Sequence, residues 1–367
     1  DTKHLQEYQE EPSSQEDLEK IPMLTREDIS REIAPIYNEE MKIAEIPTVF
    51  HEIETNGIGY LDLMFDLSDV PEKDLPMVGL LQAVLGIIDT EHYEYGELFN
   101  EINRYTGGIG TSLELYPDVT KVREKEFKAT FEIKAKALYG QIPFAIRMMK
   151  EILTASKLDD EKRLKEILSM TKTRLQDRFL SAGHSAAALR AMSYKSPLSK
   201  FKDTTNGIGY YQNIREMEEH FEDKKEEIIN SLKALSELIF RKGNMMISYT
   251  ATREGLAVLE EEIGSLKEAL YPERTPESRC VLHCEKKNEG FKTSSKVQFA
   301  AKAGNFIDAG EEYNGALQIL KVIMSYEYLW INIRVKGGAY GCMSNFNRLG
   351  EGYFVSYRDP NLGRTLE

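Results

Sequence analysis

Leu61, Leu63, Phe65 and Leu67 are apolar, and the positions between them are mostly polar. A period of two predicts a strand with one buried face and one wet face. The segment around residues 127–136 repeats the pattern, with Phe127, Ala129, Phe131, Ile133 and Ala135 opposing Lys128, Thr130, Glu132, Lys134 and Lys136. Further strands are predicted over 297–302, from the alternation in Val297-Gln-Phe299-Ala-Ala301-Lys, and over 244–250, 280–284 and 353–357. Elsewhere the period lengthens to the 3.6 residues of a helix. Helices are predicted over 76–85, 144–155, 159–179, 184–192, 214–240 and 253–270. Near the end, Ala316, Leu317, Ile319, Leu320, Ile323 and Met324 predict an amphipathic helix running through Trp330 to about Arg334. Gly337-Gly338 follows, a left-handed cap for that helix, and a strand is predicted from about Tyr340.

Two of these stretches are copies of one unit. Arg104-Tyr-Thr-Gly107-Gly108-Ile-Gly110 aligns with Arg334-Val-Lys-Gly337-Gly338-Ala-Tyr340 at an offset of 230, and each follows a strand and a helix. Aligning the preceding helices through Gln82 and Gln318 changes the offset to 236, so the first copy carries six extra residues around 90–95. A period this long implies domain duplication, not a solenoid. The copies separate fold from chemistry. Arg104 matches Arg334, so an arginine before the glycine pair serves partly to end the helix, where the dipole favours a cation. Gly110 stands where the second copy has Tyr340, so the fold does not require that tyrosine.

The Arg334…Gly337-Gly338-Ala339-Tyr340-Gly341 string resembles the second, non-zinc half of the insulinase/pitrilysin metallopeptidases, specifically their presequence-protease branch. The resemblance implies an α+β fold of two related domains, each a largely antiparallel sheet with helices packed on one face. It implies a chamber that degrades unstructured peptides and a zinc site carried by the N-terminal half of the same polypeptide. Zinc there would activate the attacking water. By the same resemblance Tyr340 is catalytic, donating to the developing oxyanion. Arg334 is both catalytic and substrate-binding, holding a substrate carbonyl, and Gly337 and Gly338 line the substrate path. Neither His-Glu-x-x-His nor His-x-x-Glu-His occurs, and the first helix of each copy lacks a metal ligand, so zinc is expected in the full-length enzyme and not on this fragment. The competing class is a non-catalytic structural or peptide-binding paralogue of the same fold.

The expected organisation is a linker or helical segment over 1–44, a first domain over 45–270, a linker over 271–284 and a second domain over 285–367. That second domain would be incomplete at its C-terminal side, because a half-sheet leaves an apolar face uncovered. A chain of 367 residues with 41% hydrophobic and 29% charged residues is long enough for two such cores. The net charge of −14 argues against nucleic acid as a partner, and no apolar run reaches the length that spans a bilayer. The chain starts at Asp1 without a signal pattern. Cys280, Cys284 and Cys342 are expected to be buried or half-buried free thiols, with Cys280 and Cys284 on one face of a strand and His283 on the other. Free thiols fit a reducing compartment: cytoplasmic, or the mitochondrial matrix in a eukaryote.

Three lesser motifs carry no chemistry. Glu218-Glu219-His220 reads as a solvated helix face. Ser181-Ala-Gly-His184-Ser185 reads as a helix cap through Ser181 or Ser185. Asn56-Gly-Ile-Gly59 and Asn206-Gly-Ile-Gly209 read as turns entering strands.

Overall fold

The computed structural model describes residues 2–275 and 279–366, in two compact units, one ending at Tyr37 and one running from Asn38. The first unit holds helices α1 (Thr2–Glu10) and α2 (Gln15–Glu19) and a 3₁₀ turn, Arg26–Asp28. Every described residue in it is exposed. Its ends are capped by short polar bonds, as where the Asp17 N–H donates to Ser14 Oγ at 3.1 Å.

In the second unit the alternating segments form a six-stranded sheet. Its strands are β1 (Glu39–Ile43), β2 (Ile46–Glu52), β3 (Ile58–Asp66), β4 (Ile109–Pro117), β5 (Phe127–Leu138) and β6 (Met245–Ala251), in the order β1-β2-β6-β3-β5-β4. Within this sheet only β2 and β6 pair in parallel. β1 falls within the stretch read as linker, because its register with β2 makes it the edge of the sheet. One face is dry. Leu61, Leu63, Phe65, Phe131 and Ile133 are fully buried, and the Phe240 ring stands edge-on to both Phe65 and Phe131 at 5.1 Å. Each such side chain contributes about 1.5–3 kcal/mol on burial. The opposite face is more polar, although Met64, Thr130 and Glu132 are buried on it. Glu132 is fully buried there, its carboxylate accepting from the Thr130 and Tyr116 hydroxyls at 2.7 Å, with Lys134 Nζ at 2.9 Å.

Helices α3 (Leu75–Val84), α4 (Tyr95–Tyr105), α5 (Ile142–Thr154), α6 (Glu161–Ser193), α7 (Pro197–Asn206), α8 (Ile208–Glu219), α9 (Phe221–Ile239) and α10 (Arg253–Ala269) complete this part. Four details differ from the sequence reading. The helices predicted at 159–179 and 184–192 are one, α6, kinked at Ala182 (φ −128°, ψ 36°). Ser181 therefore does not cap a new helix, and its hydroxyl donates back to Asp177 O at 2.9 Å. The helix predicted over 214–240 breaks at His220 into α8 and α9. Asn206-Gly-Ile-Gly209 enters no strand and forms the α7–α8 corner, where the Asp203 carboxylate accepts from the N–H groups of Ile208 (3.0 Å) and Gly209 (3.2 Å). The Asn56-Gly57 turn does lead into β3, with both residues at positive φ.

Residues 276–278 of the predicted linker lie outside the described residues. Cys280 to Cys284 form no strand, because the Cys280 N–H is spent on Ser68 O at 2.6 Å and His283 pairs with Glu72 at 2.8 Å. Cys280 is half-buried and Cys284 exposed, and all three cysteines are free. Burial, with Glu72 nearby, pushes the Cys280 thiol up to about 11.

A second sheet, β7 (Ala301–Asn305), β8 (Gly341–Phe346) and β9 (Glu351–Tyr357), has the order β7-β9-β8, all antiparallel. This is the order of β3-β5-β4 in the first sheet. Helix α11 (Ala316–Ile323) follows β7 as α3 follows β3. The Gln82 amide donates to Thr111 O on β4 at 3.0 Å, and the Gln318 amide to Phe346 O on β8 at 2.9 Å. Gly108 and Gly338, 230 apart, both have positive φ. The fold is α+β, with two sheets built on one plan. Its strand β7 starts later than predicted because the pairing shifts: Ala301 faces Val355 but Gln298 faces Asp359, three steps against four. The extra residue makes a bulge in the β9 side around Arg358, whose φ is +49°.

Candidate active site

The helix leading to the glycine pair is not α-helical to its end. From Met324 to Val335 it is a π-helix, with bonds such as Lys336 N–H to Ile331 O at 3.0 Å. Such turns are rare and tend to occur at functional sites. The chain leaves it through a double closure, Gly338 N–H to Arg334 O (2.9 Å) and Ala339 N–H to Ile333 O (3.1 Å). Both glycines are demanded locally. A Cβ on Gly337 would lie 2.6 Å from Ile333 O, and Gly338 has φ +79°. The Gly337 carbonyl accepts from the Asn361 side-chain amide.

This exit brings Arg334 back onto Tyr340. Arg334 Nη1 donates to Tyr340 O at 2.6 Å, and the guanidinium lies 4.1 Å from the Trp330 ring centre and 5.3 Å from that of Tyr340. Each such stack is worth about 0.5–1 kcal/mol where exposed. A guanidinium has five N–H donors, so others remain for a ligand. The Tyr340 N–H donates to Arg358 O at 3.3 Å, fixing its backbone to the bulge. Tyr340 as a whole is 64% exposed. The two residues border an open groove of about 540 Å³, shared with Val297, Trp330, Val335 and Arg358. Cys342, on β8 just beyond, is half-buried; burial raises its thiol above the usual range, with Arg334 pulling the other way.

Of the sequence-predicted site residues, Arg334, Gly338 and Tyr340 line this one groove, and Gly337 sits in the turn that shapes it. Trp330 and Arg358 line the same groove, and Tyr357, which does not line it, meets the Tyr340 ring. The alternation of Tyr353, Val355 and Tyr357 could have flagged Tyr357; no local pattern marks the bulge that carries Arg358. In the first copy the corresponding arginine behaves differently. Arg104 lies on the last turn of α4, exposed, with Glu101 at 3.9 Å as its ion-pair partner.

Among the described residues no three His, Cys, Asp or Glu side chains are grouped to hold a metal, and α3 and α11 contain none of these residue types. A zinc ion therefore does not fit the described residues of this chain.

Comparison with known proteins places these features. Residues 1–217 match the family described as the associated region of peptidase family M16, subfamily C, and residues 288–367 match the PreP C-terminal domain. The chain is 40% identical over 365 residues to protein HypA of Clostridium perfringens, covering 100% of this chain and 37% of that protein. It is 27% identical over 374 residues to presequence protease 1, chloroplastic/mitochondrial, of Arabidopsis thaliana, covering 100% of this chain and 34% of that one. The chain thus spans little more than a third of the curated relatives it matches. Its fold is similar to a conserved protein from Enterococcus faecalis (TM-score 0.59, 14% identity, 90% of this chain and 77% of that one). It is also similar to a peptidase M16 inactive domain from Pseudomonas fluorescens (TM-score 0.52, 15% identity, 89% and 76%).

Proposed function

The chain belongs to peptidase family M16, subfamily C, in the C-terminal half of its presequence-protease branch, and from that premise we propose that it supplies Arg334 and Tyr340 to a zinc endopeptidase site. The metal and the general base belong to the N-terminal half of the same polypeptide, and the substrates are unstructured peptides degraded in a chamber between the halves. This fragment alone binds no zinc and cleaves nothing. What supports the reading is the exposed Tyr340 phenol at the groove rim, its backbone held from two sides by Arg334 and Arg358.

The chemistry asked of this chain is limited. As the peptide carbonyl is attacked, negative charge gathers on its oxygen. A phenol O–H aimed there donates to that charge more strongly than to the resting carbonyl, and so lowers the barrier instead of merely tightening binding. The free N–H groups of Arg334 bind a neighbouring substrate carbonyl in ground and transition state alike. Gly337 and Gly338 keep the turn low, so that an extended peptide can pass. The three free thiols fit a reducing compartment, cytoplasmic or, in a eukaryote, the mitochondrial matrix. Among the described residues no helix is long and apolar enough to cross a membrane.

The test is Tyr340→Phe in the full-length enzyme. We expect kcat to fall at least roughly tenfold with KM nearly unchanged, set below the ~10²–10³ seen on loss of one oxyanion donor elsewhere to allow for a second donor. Near-wild-type kcat would leave a non-catalytic, peptide-binding or structural role for this surface.

A further inference from the structure

Tyr340 is exposed, and an exposed tyrosine samples more than one staggered rotamer unless something fixes it. Besides Arg334, its ring meets Tyr357, edge to face at 5.9 Å and 68°. Tyr357 stands opposite Gly341 in the β8–β9 register, at the bulge that the extra residue creates. Bulges re-aim side chains, and here the re-aimed side chain lies between the site and helix α6. On its far side the Tyr357 ring meets His184 (4.9 Å, 78°) and Phe299 (5.7 Å). Its hydroxyl also makes a long contact with Ser181 O, at 3.5 Å.

Those partners belong to the kink of α6 and the strand approach that packs on it. Ala182 leaves helical geometry, and Gly183 has no room for a side chain, since a Cβ there would lie 2.4 Å from the Phe299 ring. Burial lowers the His184 pKa, and its buried Nδ1 has no hydrogen-bond partner. The His184 ring packs against Phe299 and Tyr357. A chain of aromatic contacts therefore runs from a bent helix of the first copy to the exposed tyrosine of the second.

We propose that Tyr357 is a positioning residue for Tyr340, held in place by the α6 kink through His184 and Phe299. The proposal rests on the function assigned above to Tyr340. Its logic is geometric: an oxyanion donor works only over a narrow range of positions, and misplacement by ~1 Å costs on the order of 10²-fold in rate. A ring that meets Tyr340 at its edge removes the competing positions.

The experiment has two arms. In the full-length enzyme, Tyr357→Leu should lower kcat roughly tenfold and change KM by less than about twofold, because the loss is in alignment and not in binding. Tyr357→Phe, which keeps the ring, should restore most of that rate. Combining Tyr357→Leu with Tyr340→Phe should cost no more than Tyr340→Phe alone, as expected of residues acting as a unit. The second arm places 3-fluorotyrosine at position 340 and records its fluorine resonance. Tyr357→Leu should shift or broaden that line. His184→Leu, which never touches Tyr340, should move the line in the same sense and covers the case in which Tyr357→Leu fails to fold. An unchanged line in both variants, or a Tyr357→Leu enzyme with normal kcat beside an impaired Tyr340→Phe, overturns the proposal. If Tyr340→Phe itself has normal kcat, it is the function of the site that fails, and the fluorine line still reports whether Tyr357 orders the ring.

Discussion

Strands β3, β5 and β4 with helices α3 and α4 share their layout with β7, β9 and β8, α11 and the π-helix, yet the two sets live in different surroundings. In the first copy Val78, Leu80, Leu81 and Val84 of α3 are fully buried beneath other helices. In the second, no residue of α11 is buried, and Ile319, Val322 and Ile323 are more than half exposed. The arginines diverge in the same way. Arg104 lies on an exposed helix face with Glu101 as its ion-pair partner, whereas Arg334 folds back on Tyr340. The insertion around 90–95 also separates them, since Glu151 on α5 pins it through His92. One unit has been built into a helical layer, and the other keeps an open face and a tyrosine that its layout does not need. The difference separates what the shared layout needs, the glycine turn after the helix, from what it does not, the exposed Tyr340 and the fold-back of Arg334 onto it.

The contrast can be broken most forcefully at Arg190. Its guanidinium holds the buried Asp203 carboxylate at 2.6 Å and, at 2.8 Å, Glu289 on the approach to the second sheet. Arg190→Ala leaves a buried carboxylate with only two backbone donors, so we expect a loss of about 3–5 kcal/mol in denaturant unfolding. A loss below about 1 kcal/mol would mean that this junction is not what ties the second copy to the helices of the first.

A smaller effect sharpens the comparison of the two arginines. Arg334→Ala should raise KM roughly tenfold, equivalent to about 1.4 kcal/mol, through the lost grip on a substrate carbonyl. Arg104→Ala should change neither kinetic constant and should stay within about 0.5 kcal/mol in stability. Equal effects on KM from both substitutions would erase the distinction between them.

The smallest expected effect concerns the insertion. Burial raises the Glu151 pKa, but hydrogen bonds from Thr90 and His92 outweigh it and hold the carboxyl below its ordinary value. A depressed folded-state pKa adds stability above the unfolded-state value of about 4.3, and that stability is lost as pH falls through the folded-state value. Melting temperature should therefore decline below about pH 4.5 more steeply in the wild type than in Glu151→Gln. Parallel profiles would show that the carboxylate does not secure the insertion.

How much of this was readable in advance follows the range of the interactions. The alternation at Leu61–Leu67 and Phe127–Ala135 and the Gly337-Gly338-Ala339-Tyr340 string are local, and they mark the central strands and the turn beside the groove. What went unread depends on distant partners. Nothing in residues 206–209 reveals that Asp203 caps the next helix, although Ser196-Pro197 is a legible start for α7. Nothing in Cys280-Val-Leu-His283 reveals that Ser68 and Glu72 take up its polar groups. Nor does the apolar spacing after Met324 distinguish a π-helix from an α-helix, since both expose the same residue types. The bulge at Arg358 appears only when the pairing of two strands is counted.

The parallel pairing of β2 with β6 has a consequence for how the chain comes together. Thr48 faces Ile247, roughly 200 residues later, and no crossover shortens that distance along the backbone. Pairs this remote carry the entropy of closing a long loop, and they form late. During synthesis, β3, α3, α4, β4 and β5 could dock as soon as residue 138 emerges, but β3 and β2 would wait, each with an open edge, for the strand that runs between them. The ribosome must release all of α5 to α9 before that slot is filled, so β6 is the step at which folding commits and the stage at which an interrupted chain is most exposed to aggregation.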